Sequence, residues 1–187
     1  MIEHEKKLPL EKEEYEMLLD IFCENVSPTR QVNYYFDTDD FYMNSKGITC
    51  RIRYKNGKYK AVMKTHRKAY DECSLETTMK IRRGLRENDF TDMGLSLQGC
   101  LITERVVMLK TDFHNVVLDK NTYLGYIDYE LEIEYLDGFE DVAEQIKQRI
   151  IQLLLKNCKS TTFNSITLRN KRIQSKSERF FERRVNT

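Results

Sequence analysis

Several features are missing from this sequence, and each absence argues against a class of protein. No run of about 18 or more apolar residues occurs, so no membrane-spanning helix is expected. The first residues are acidic and lack an apolar stretch, so no secretory signal is expected either. The five cysteines never form a C-x-x-C pair and the three histidines are scattered, which argues against a zinc site. This use of cysteine fits a reducing, cytoplasmic location.

Charge balance and motif content argue against further classes. The 31 basic and 30 acidic side chains leave a net charge of +1, so a basic surface for nucleic acid is not expected. No G-x-x-x-x-G-K-[ST] phosphate loop occurs, and no Ser-His-Asp or Cys-His arrangement stands out. The 187 residues are 40% hydrophobic and 33% charged, which predicts one domain over residues 1–187 with a core and unusually many charges.

Two segments show the spacing of amphipathic helices. Apolar residues recur at helical intervals over about 11–25 and again over 140–158, and each stripe is expected to pack against a core. No internal repeat or linker separates them. The first stripe consists of Tyr15, Leu18, Leu19 and Phe22, and the second of Val142, Ile146, Ile150, Leu153 and Leu154.

A hairpin is predicted over residues 48–64, because Asn56-Gly57 separates two strand-like segments and is the strongest short hairpin signal. Pairing outward from this turn sets Arg53 opposite Lys60. Like charges that oppose each other destabilise a sheet, so a bound anion is the simplest reason for a cationic face. A solvated basic face on an ordinary hairpin is the alternative. The cations of this face are Arg51, Arg53, Lys60 and Lys64.

Residues 126–135 alternate strictly between acidic and apolar side chains, which predicts a strand. One interpretation is an ordinary antiparallel strand with one solvent-exposed face. If the acidic face is buried, however, cations from metal or protein must lie near it. Glu→Gln at 130 or 132 relieves mutual repulsion but gives up attraction to facing arginines, so the melting temperature of the ligand-free protein is expected to change little or to rise. The acids are Asp128, Glu130, Glu132 and Glu134.

Charges also follow a two-residue period in the first strand. Glu3, Glu5 and Lys7 share one face there and could hold a metal ion and a phosphate together, unless the run is simply a solvated terminus. Further strands are predicted over 31–37, 69–81, 101–110 and 116–119. The segment 175–181 is expected to be a last strand or a docking turn.

Strands with one apolar and one charged face can close into a barrel with a charged lumen, covered outside by the two helices. Acidic and basic strands would then face each other across the interior. Arg and Lys suit phosphate oxygens, and carboxylates suit Mg²⁺ or Mn²⁺. The expected ligand is therefore a polyphosphate with a divalent metal.

The same residues resemble a known family. Glu3-His4-Glu5-Lys6-Lys7 is similar to the ExExK signature of the CYTH domain, or triphosphate tunnel metalloenzyme superfamily. The resemblance continues in order along nearly the whole chain, and its C-terminal part looks like that of small bacterial members. Its other elements are Tyr35-Phe36-Asp37-Thr38, Arg51-Ile52-Arg53, Met63-Lys64, Arg105, Leu118-Asp119, Gly125, Glu130, Glu132, Ser175-Lys176 and Arg179-Phe180-Phe181.

The resemblance implies an α+β fold built on an eight-stranded antiparallel β-barrel that forms a tunnel with a charged lumen, flanked by helices. It implies catalytic roles for Lys7, Glu130 and Glu132. The expected metal ligands are Glu3, Glu5, Glu130 and Glu132, with Asp128, Glu134 and Glu72 as further candidates. The expected triphosphate-binding residues are Lys7, Arg51, Arg53, Lys64 and Arg105, and the hairpin register adds Lys60. Lys176 and Arg179 are expected either to bind triphosphate at the tunnel mouth or to have a structural role.

The expected activity is metal-dependent hydrolysis of triphosphates, with inorganic triphosphate as the preferred substrate and Mg²⁺ or Mn²⁺ as cofactor. Thiamine or nucleoside triphosphates, or class IV-type ATP cyclisation, remain open alternatives. A non-catalytic sensor of polyphosphate or nucleotides is an alternative from another class. The expected partner is a small-molecule triphosphate, with no nucleic acid and no membrane, and the protein is expected to be a monomer or a homodimer.

Overall fold

The computed structural model describes residues 2–22, 26–66, 73–79, 88–159 and 173–185. Its strands are β1 Ile2–Leu10, β2 Thr29–Asp37, β3 Ile48–Lys55, β4 Lys58–His66, β5 Cys73–Met79, β6 Ser96–Lys110, β7 His114–Tyr123 and β8 Tyr126–Tyr135. Its helices are α1 Lys12–Phe22, α2 Tyr42–Ser45, α3 Asn88–Thr91, α4 Glu140–Asn157 and α5 Lys176–Val185. None of these helices is long and apolar enough to cross a membrane.

The strands pair antiparallel in the order β1-β5-β4-β3-β2-β6-β7-β8, and β1 also pairs with β8, so the hydrogen bonding runs round in a ring. The contact of β1 with β5 is short and involves three paired residues. The predicted combination of an antiparallel sheet with helices is therefore confirmed. Because paired residues share a face, the register also states which side chains point into the ring.

The hairpin of β3 and β4 has the predicted register. Lys55 pairs with Lys58, Arg53 with Lys60, and Thr49 with Lys64. Asn56 and Gly57 both have positive φ angles, 50° and 73°, as a two-residue I′ turn requires. The turn chemistry thus places Arg51 and Arg53 on the inner face.

Helices α1 and α4 cover the outside of the ring. Leu8 of β1 and Ile133 of β8 are fully buried beneath Leu18 of α1 and Leu154 of α4. Each such buried aliphatic side chain stabilises the fold by roughly 1.5–3 kcal/mol. Two members of the predicted stripes do not join this core, because Phe22 is 44% exposed and Val142 is 42% exposed.

The predicted acidic strand is β8, and its alternation has the expected orientation. Leu131 and Ile133 face the helices, whereas Glu130 and Glu132 face the interior of the ring. The strand predicted over 116–119 is confirmed, but it is longer than expected, because β7 extends over His114–Tyr123. The longer pairing with β8 brings Asp119 opposite Glu130.

The prediction of a last strand or docking turn at 175–181 was wrong, because Lys176–Val185 forms helix α5. Phe180 and Phe181 are fully buried against Tyr35, whose cross-strand partner is Arg51 on the inner face. Gly99 makes room for this helix, since a Cβ there would lie 2.9 Å from Phe180 Cζ, and its φ of 142° also favours glycine. Helix α5 therefore inserts side chains into the ring.

Candidate active site

A cavity of about 80 Å³ lies inside the ring, and every residue that lines it is polar or charged. At roughly 10–15 Å³ per water, this is room for roughly five to eight water molecules. The inner faces of the strands and the start of α5 supply the lining. The lining residues are Glu5, Lys7, Gln31, Asn33, Thr49, Arg51, Arg53, Lys64, Arg105, Glu132, Glu134, Ser175, Lys176 and Ser177.

Three buried carboxylates form the acidic centre of the site. Asp119, Glu130 and Glu132 are 0%, 1% and 4% exposed, and each offers an oxygen within 4.8 Å of the others. The ammonium of Lys176 contacts all three, at 2.7 Å from Asp119 Oδ2 and 2.8 Å from Glu132 Oε1, with Glu130 Oε1 as the third partner. We call these three acids the carboxylate trio.

Burial and ion pairing act in opposite directions on the trio. Burial would raise the pKa of Glu130, but Lys176 and Arg179 outweigh it and lower that pKa to about 2. The pKa of Glu132 is likewise lowered despite burial, by Lys176 and Arg105. For Asp119 burial dominates and raises the pKa. Glu130 and Glu132 are therefore held charged chiefly by cations of the chain itself, whereas burial of Asp119 disfavours its charged form.

Arg105 of β6 contacts two members of the trio, Asp119 and Glu132, and also Glu134 of β8. Its Nε donates to Asp119 Oδ1 at 2.8 Å and its Nη2 to Asp119 Oδ2 at 2.6 Å. The same guanidinium donates to Glu134 Oε1 at 2.7 Å and to Glu132 Oε2. Although burial opposes its charge, the pKa of Arg105 is raised because of these acids. This planar fork fixes the carboxylates in place.

Lys7 connects the first strand to the trio. Its Nζ lies 3.1 Å from Glu5 Oε1 and 3.5 Å from Glu132 Oε1. Burial would lower its pKa, yet Glu5 and Glu132 raise the pKa of Lys7 to about 12. Glu5 also lies 3.6 Å from Lys64, and the two ammonium groups lower the pKa of Glu5 against the effect of burial. Lysine and carboxylate side chains thus alternate along this wall.

Arg179 of α5 contacts Asp128 and Glu130 of β8, and the buried side chains of Asn121 and Tyr123 contact the same acids. The Nε of Arg179 lies 3.0 Å from Asp128 Oδ2 and its Nη2 lies 3.1 Å from Glu130 Oε2. Asn121 donates to Asp128 Oδ1 at 2.9 Å and to Glu130 Oε1 at 3.2 Å, and Tyr123 donates to Asp128 Oδ2 at 2.7 Å. Arg179, Asp128 and Glu130 are not among the cavity-lining residues.

The predicted basic residues of the hairpin divide into two groups. Arg51 and Lys64 are buried, Arg53 is partly buried, and all three line the cavity. Arg53 Nε donates to Asn33 Oδ1 at 3.0 Å, which holds the guanidinium against β2. Lys60 is on the same face by register but is exposed and does not line the cavity.

Among the predicted acids, the side chains of Glu3 and Glu72 lie outside the described residues. Sequence reasoning missed Asp119 as a site residue, although it faces the interior and contacts both Arg105 and Lys176. A usable signal was the alternation of Asn115, Asp119 and Asn121 on one face of β7. The strand expected over 116–119 is too short to include all three of these residues.

The trio suits a hard divalent cation. Three carboxylate oxygens lie close enough together to surround one ion, and Mg²⁺ and Mn²⁺ prefer oxygen ligands. The Lys176 ammonium, held by all three acids, shows that the trio accommodates a positive charge at its centre. The donor set therefore fits the expected metal.

The profile of the family described as the CYTH domain matches residues 1–161, and the chain belongs to that family. A related protein of Bacillus subtilis (strain 168), named "Putative triphosphatase YjbK", is 33% identical over 140 residues, which cover 66% of this chain and 70% of that protein. The family predicted from the sequence is thus confirmed.

Solved structures share the fold. The crystal structure of a "putative adenylate cyclase" from Bacillus halodurans has a TM-score of 0.65 and 24% identity, covering 96% of this chain and 97% of that one. The Hippeastrum protein HpAC1, a "putative adenylyl cyclase" described with a dominant triphosphatase activity, has a TM-score of 0.59 and 18% identity, covering 89% of this chain and 95% of that one. At these identities the likeness establishes the fold alone.

Proposed function

We propose that this protein is a metal-dependent triphosphatase whose preferred substrate is inorganic triphosphate. The observation that carries the proposal is the cavity beside the carboxylate trio, because its lining combines the cations Arg51, Arg53 and Lys64 with carboxylates. Such a lining suits a chain of phosphates accompanied by a divalent ion. The triphosphatase name of the Bacillus subtilis relative supports the same assignment.

In this proposal the ring of strands acts as a tunnel with a charged lumen, partly filled by α5. Its inner wall is acidic along β7 and β8 and basic along β3 and β4. A substrate placed between these walls has cations on one side and the trio on the other. The eight-stranded barrel expected from the sequence would be the structural basis of the proposed activity.

Phosphoryl transfer depends on positioning and charge neutralisation more than on covalent chemistry by the protein. Arg51, Arg53 and Lys64 would hold phosphate oxygens, and Lys7 would bridge them to Glu132. A divalent ion bound at the trio supplies charge neutralisation to the phosphates. The lowered pKa of Glu132 suits a ligand or water-orienting role better than a general base.

Glu130, Glu132 and Asp119 are the proposed metal ligands, and Glu5 lines the adjoining cavity. Asp128 is assigned instead to holding Arg179, which contacts it and Glu130. Mg²⁺ or Mn²⁺ is the proposed ion, since the trio contains oxygen donors alone. The resemblance supports Glu3 as a further ligand, and Glu72 stays a candidate from the sequence.

The lining of the cavity favours inorganic triphosphate over nucleotides or thiamine triphosphate. Recognition of a base or a thiazolium ring calls for apolar or aromatic surface. Among the described residues, the lining contains only charged side chains, amides and hydroxyls. A cytoplasmic location, no nucleic-acid partner and a monomer or homodimer stay predictions from the sequence.

A substrate panel tests the proposal. Purified protein is incubated with inorganic triphosphate, thiamine triphosphate, ATP and GTP, each with Mg²⁺, Mn²⁺ or EDTA. We expect phosphate release to be fastest from inorganic triphosphate and to require the metal. Release of pyrophosphate and cyclic AMP from ATP would instead indicate a cyclase, and no release from any substrate would indicate a binding protein.

A further inference from the structure

Lys176 occupies the centre of the carboxylate trio. Its ammonium contacts Asp119, Glu130 and Glu132 at once, and the residue is 9% exposed. The ammonium of Lys176 therefore fills the space between the three acids.

A divalent ion bound to these acids would need the same space. Mg²⁺ lies roughly 2.0–2.1 Å from its oxygen ligands, whereas the ammonium lies 2.7 Å from Asp119 Oδ2 and 2.8 Å from Glu132 Oε1. Two cations cannot share the centre of one group of carboxylates, because they overlap in space and repel each other. One of them must leave.

The anchoring of α5 restricts how the lysine can leave. Phe180 and Phe181 are fully buried, and Ser177 accepts a hydrogen bond from Thr49 at 2.9 Å, so the helix is fixed beside Lys176. The lysine stem is flexible, and Lys176 also lines the cavity. Rotation of the side chain alone can therefore carry the ammonium from the trio into the cavity.

We propose that Lys176 holds the metal position in the metal-free protein and turns into the cavity, toward the phosphates of the substrate, when the divalent ion binds. This inference rests on the proposed function. It makes the binding of metal and anion cooperative. Metal alone must expel Lys176 without offering it a new partner, whereas metal together with triphosphate gives the ammonium phosphate oxygens to contact.

The first experiment measures binding of Mn²⁺ alone, from the loss of the free-ion signal in electron paramagnetic resonance. Lys176→Met removes the competing cation but keeps the length of the stem. We expect it to bind Mn²⁺ at least about tenfold more tightly than the wild type, because charge-assisted hydrogen bonds no longer compete. The matched control is Lys120→Met on the neighbouring β7, where Lys120 pairs with Glu104 at 3.2 Å outside the trio, and its Mn²⁺ affinity should equal that of the wild type.

A second measurement uses the wild type only, so it holds even if Lys176→Met folds poorly. Reductive methylation followed by mass spectrometry reports the accessibility of each lysine amine. We expect Mn²⁺ to increase methylation of Lys176 and to leave Lys120 unchanged. Unchanged methylation of Lys176 at saturating Mn²⁺ would overturn the inference.

Phosphate release from inorganic triphosphate, measured in parallel, separates this inference from the proposed function. If the wild type hydrolyses triphosphate with Mn²⁺ but Lys176→Met binds Mn²⁺ no more tightly than the wild type does, the inference that metal displaces Lys176 is wrong. The proposed function then stands. If neither protein binds Mn²⁺ and no divalent ion supports hydrolysis, both are wrong.

Discussion

The charged side chains on the two walls of the interior have different surroundings. On the wall of β7 and β8, the acids are paired with cations of the chain, with Lys176 and Arg105 contacting the trio. On the wall of β3 and β4, the cations Arg51 and Arg53 border the cavity directly. The comparison teaches that the buried acids of β7 and β8 meet cations from distant parts of the chain, whereas Arg51 and Arg53 come from one hairpin and lie on the wall that we propose holds the phosphates.

We infer from this difference that the charges of the two walls contribute differently to stability and to ligand binding. Burying the acids is tolerated because α5 and β6 bring cations to them, and removing one member of such a network leaves an uncompensated charge. The basic wall borders a polar cavity, where solvent reduces the mutual repulsion of the cations. We therefore expect changes on the acidic wall to affect both folding and catalysis, and changes on the basic wall to affect chiefly the binding of anions.

The largest expected effect comes from removing the metal. Excess EDTA should abolish triphosphate hydrolysis, and added Mg²⁺ or Mn²⁺ should restore it, because the trio contains only oxygen donors. Phosphate release in chelator-treated buffer is the measurement. Full activity without any divalent ion would show that the acidic wall serves the fold alone.

The next effect concerns Glu130→Gln and stability. The pKa of Glu130 is lowered from 4.5 to about 2 in the folded protein, a shift equivalent to about 3 kcal/mol. This stabilisation is fully present above pH 4.5 and is lost as the pH falls through about 2. We expect urea denaturation to show Glu130→Gln about 3 kcal/mol less stable than the wild type at pH 7, with the difference closing toward pH 2.

Glu104→Gln is the matched control for that variant, because Glu104 pairs with Lys120 and its side chain is 43% exposed. An exposed pair contributes about 0–1 kcal/mol, so the control should stay close to the wild type. If Glu130→Gln is as stable as the wild type at pH 7, the pairing of the acidic wall does not stabilise the fold.

On the basic wall, Arg51→Ala should weaken binding of a non-hydrolysable triphosphate analogue by about 1.5–3 kcal/mol, since a charge-assisted contact inside the cavity is lost. Isothermal titration calorimetry measures this, and melting curves check that the variant is folded. Lys58→Ala in the exposed end of the hairpin is the control and should bind nearly as the wild type. Equal losses in the two variants would contradict the assignment of the basic wall.

The smallest effect is expected for Lys60→Ala. Lys60 shares a face with Arg53 by register, but it is exposed and lies outside the cavity lining. Its loss should change affinity for the analogue by less than about 1 kcal/mol. A loss as large as that of Arg51→Ala would mean that the ligand extends beyond the cavity toward the hairpin turn.

Local patterns were sufficient to predict several parts of the fold. Asn56-Gly57 fixed the register of β3 and β4, because a two-residue turn allows few pairings. The alternation in β8 fixed its inner and outer faces. Both features depend on neighbours in sequence, and the same holds for the spans of α1 and α4.

Long-range features could not be predicted in the same way. Lys176 reaches Asp119 across 57 positions of the chain, and no local pattern encodes that contact. Repulsion among the β8 acids suggested that Glu→Gln at 130 or 132 would be neutral or stabilising. From the contacts of Glu130 with Lys176 and Arg179 we instead expect Glu130→Gln to be destabilising, because the substitution removes the charge with which both cations pair.

The most direct test of the central claim is anomalous diffraction at the manganese edge, from crystals grown with MnCl₂ and a non-hydrolysable triphosphate analogue. The account predicts an anomalous peak coordinated by Glu130 and Glu132, with the phosphates of the analogue against Arg51 and Arg53. Manganese found only at the half-exposed group of His4, Asp137 and Glu140, with the analogue outside the cavity, would contradict it.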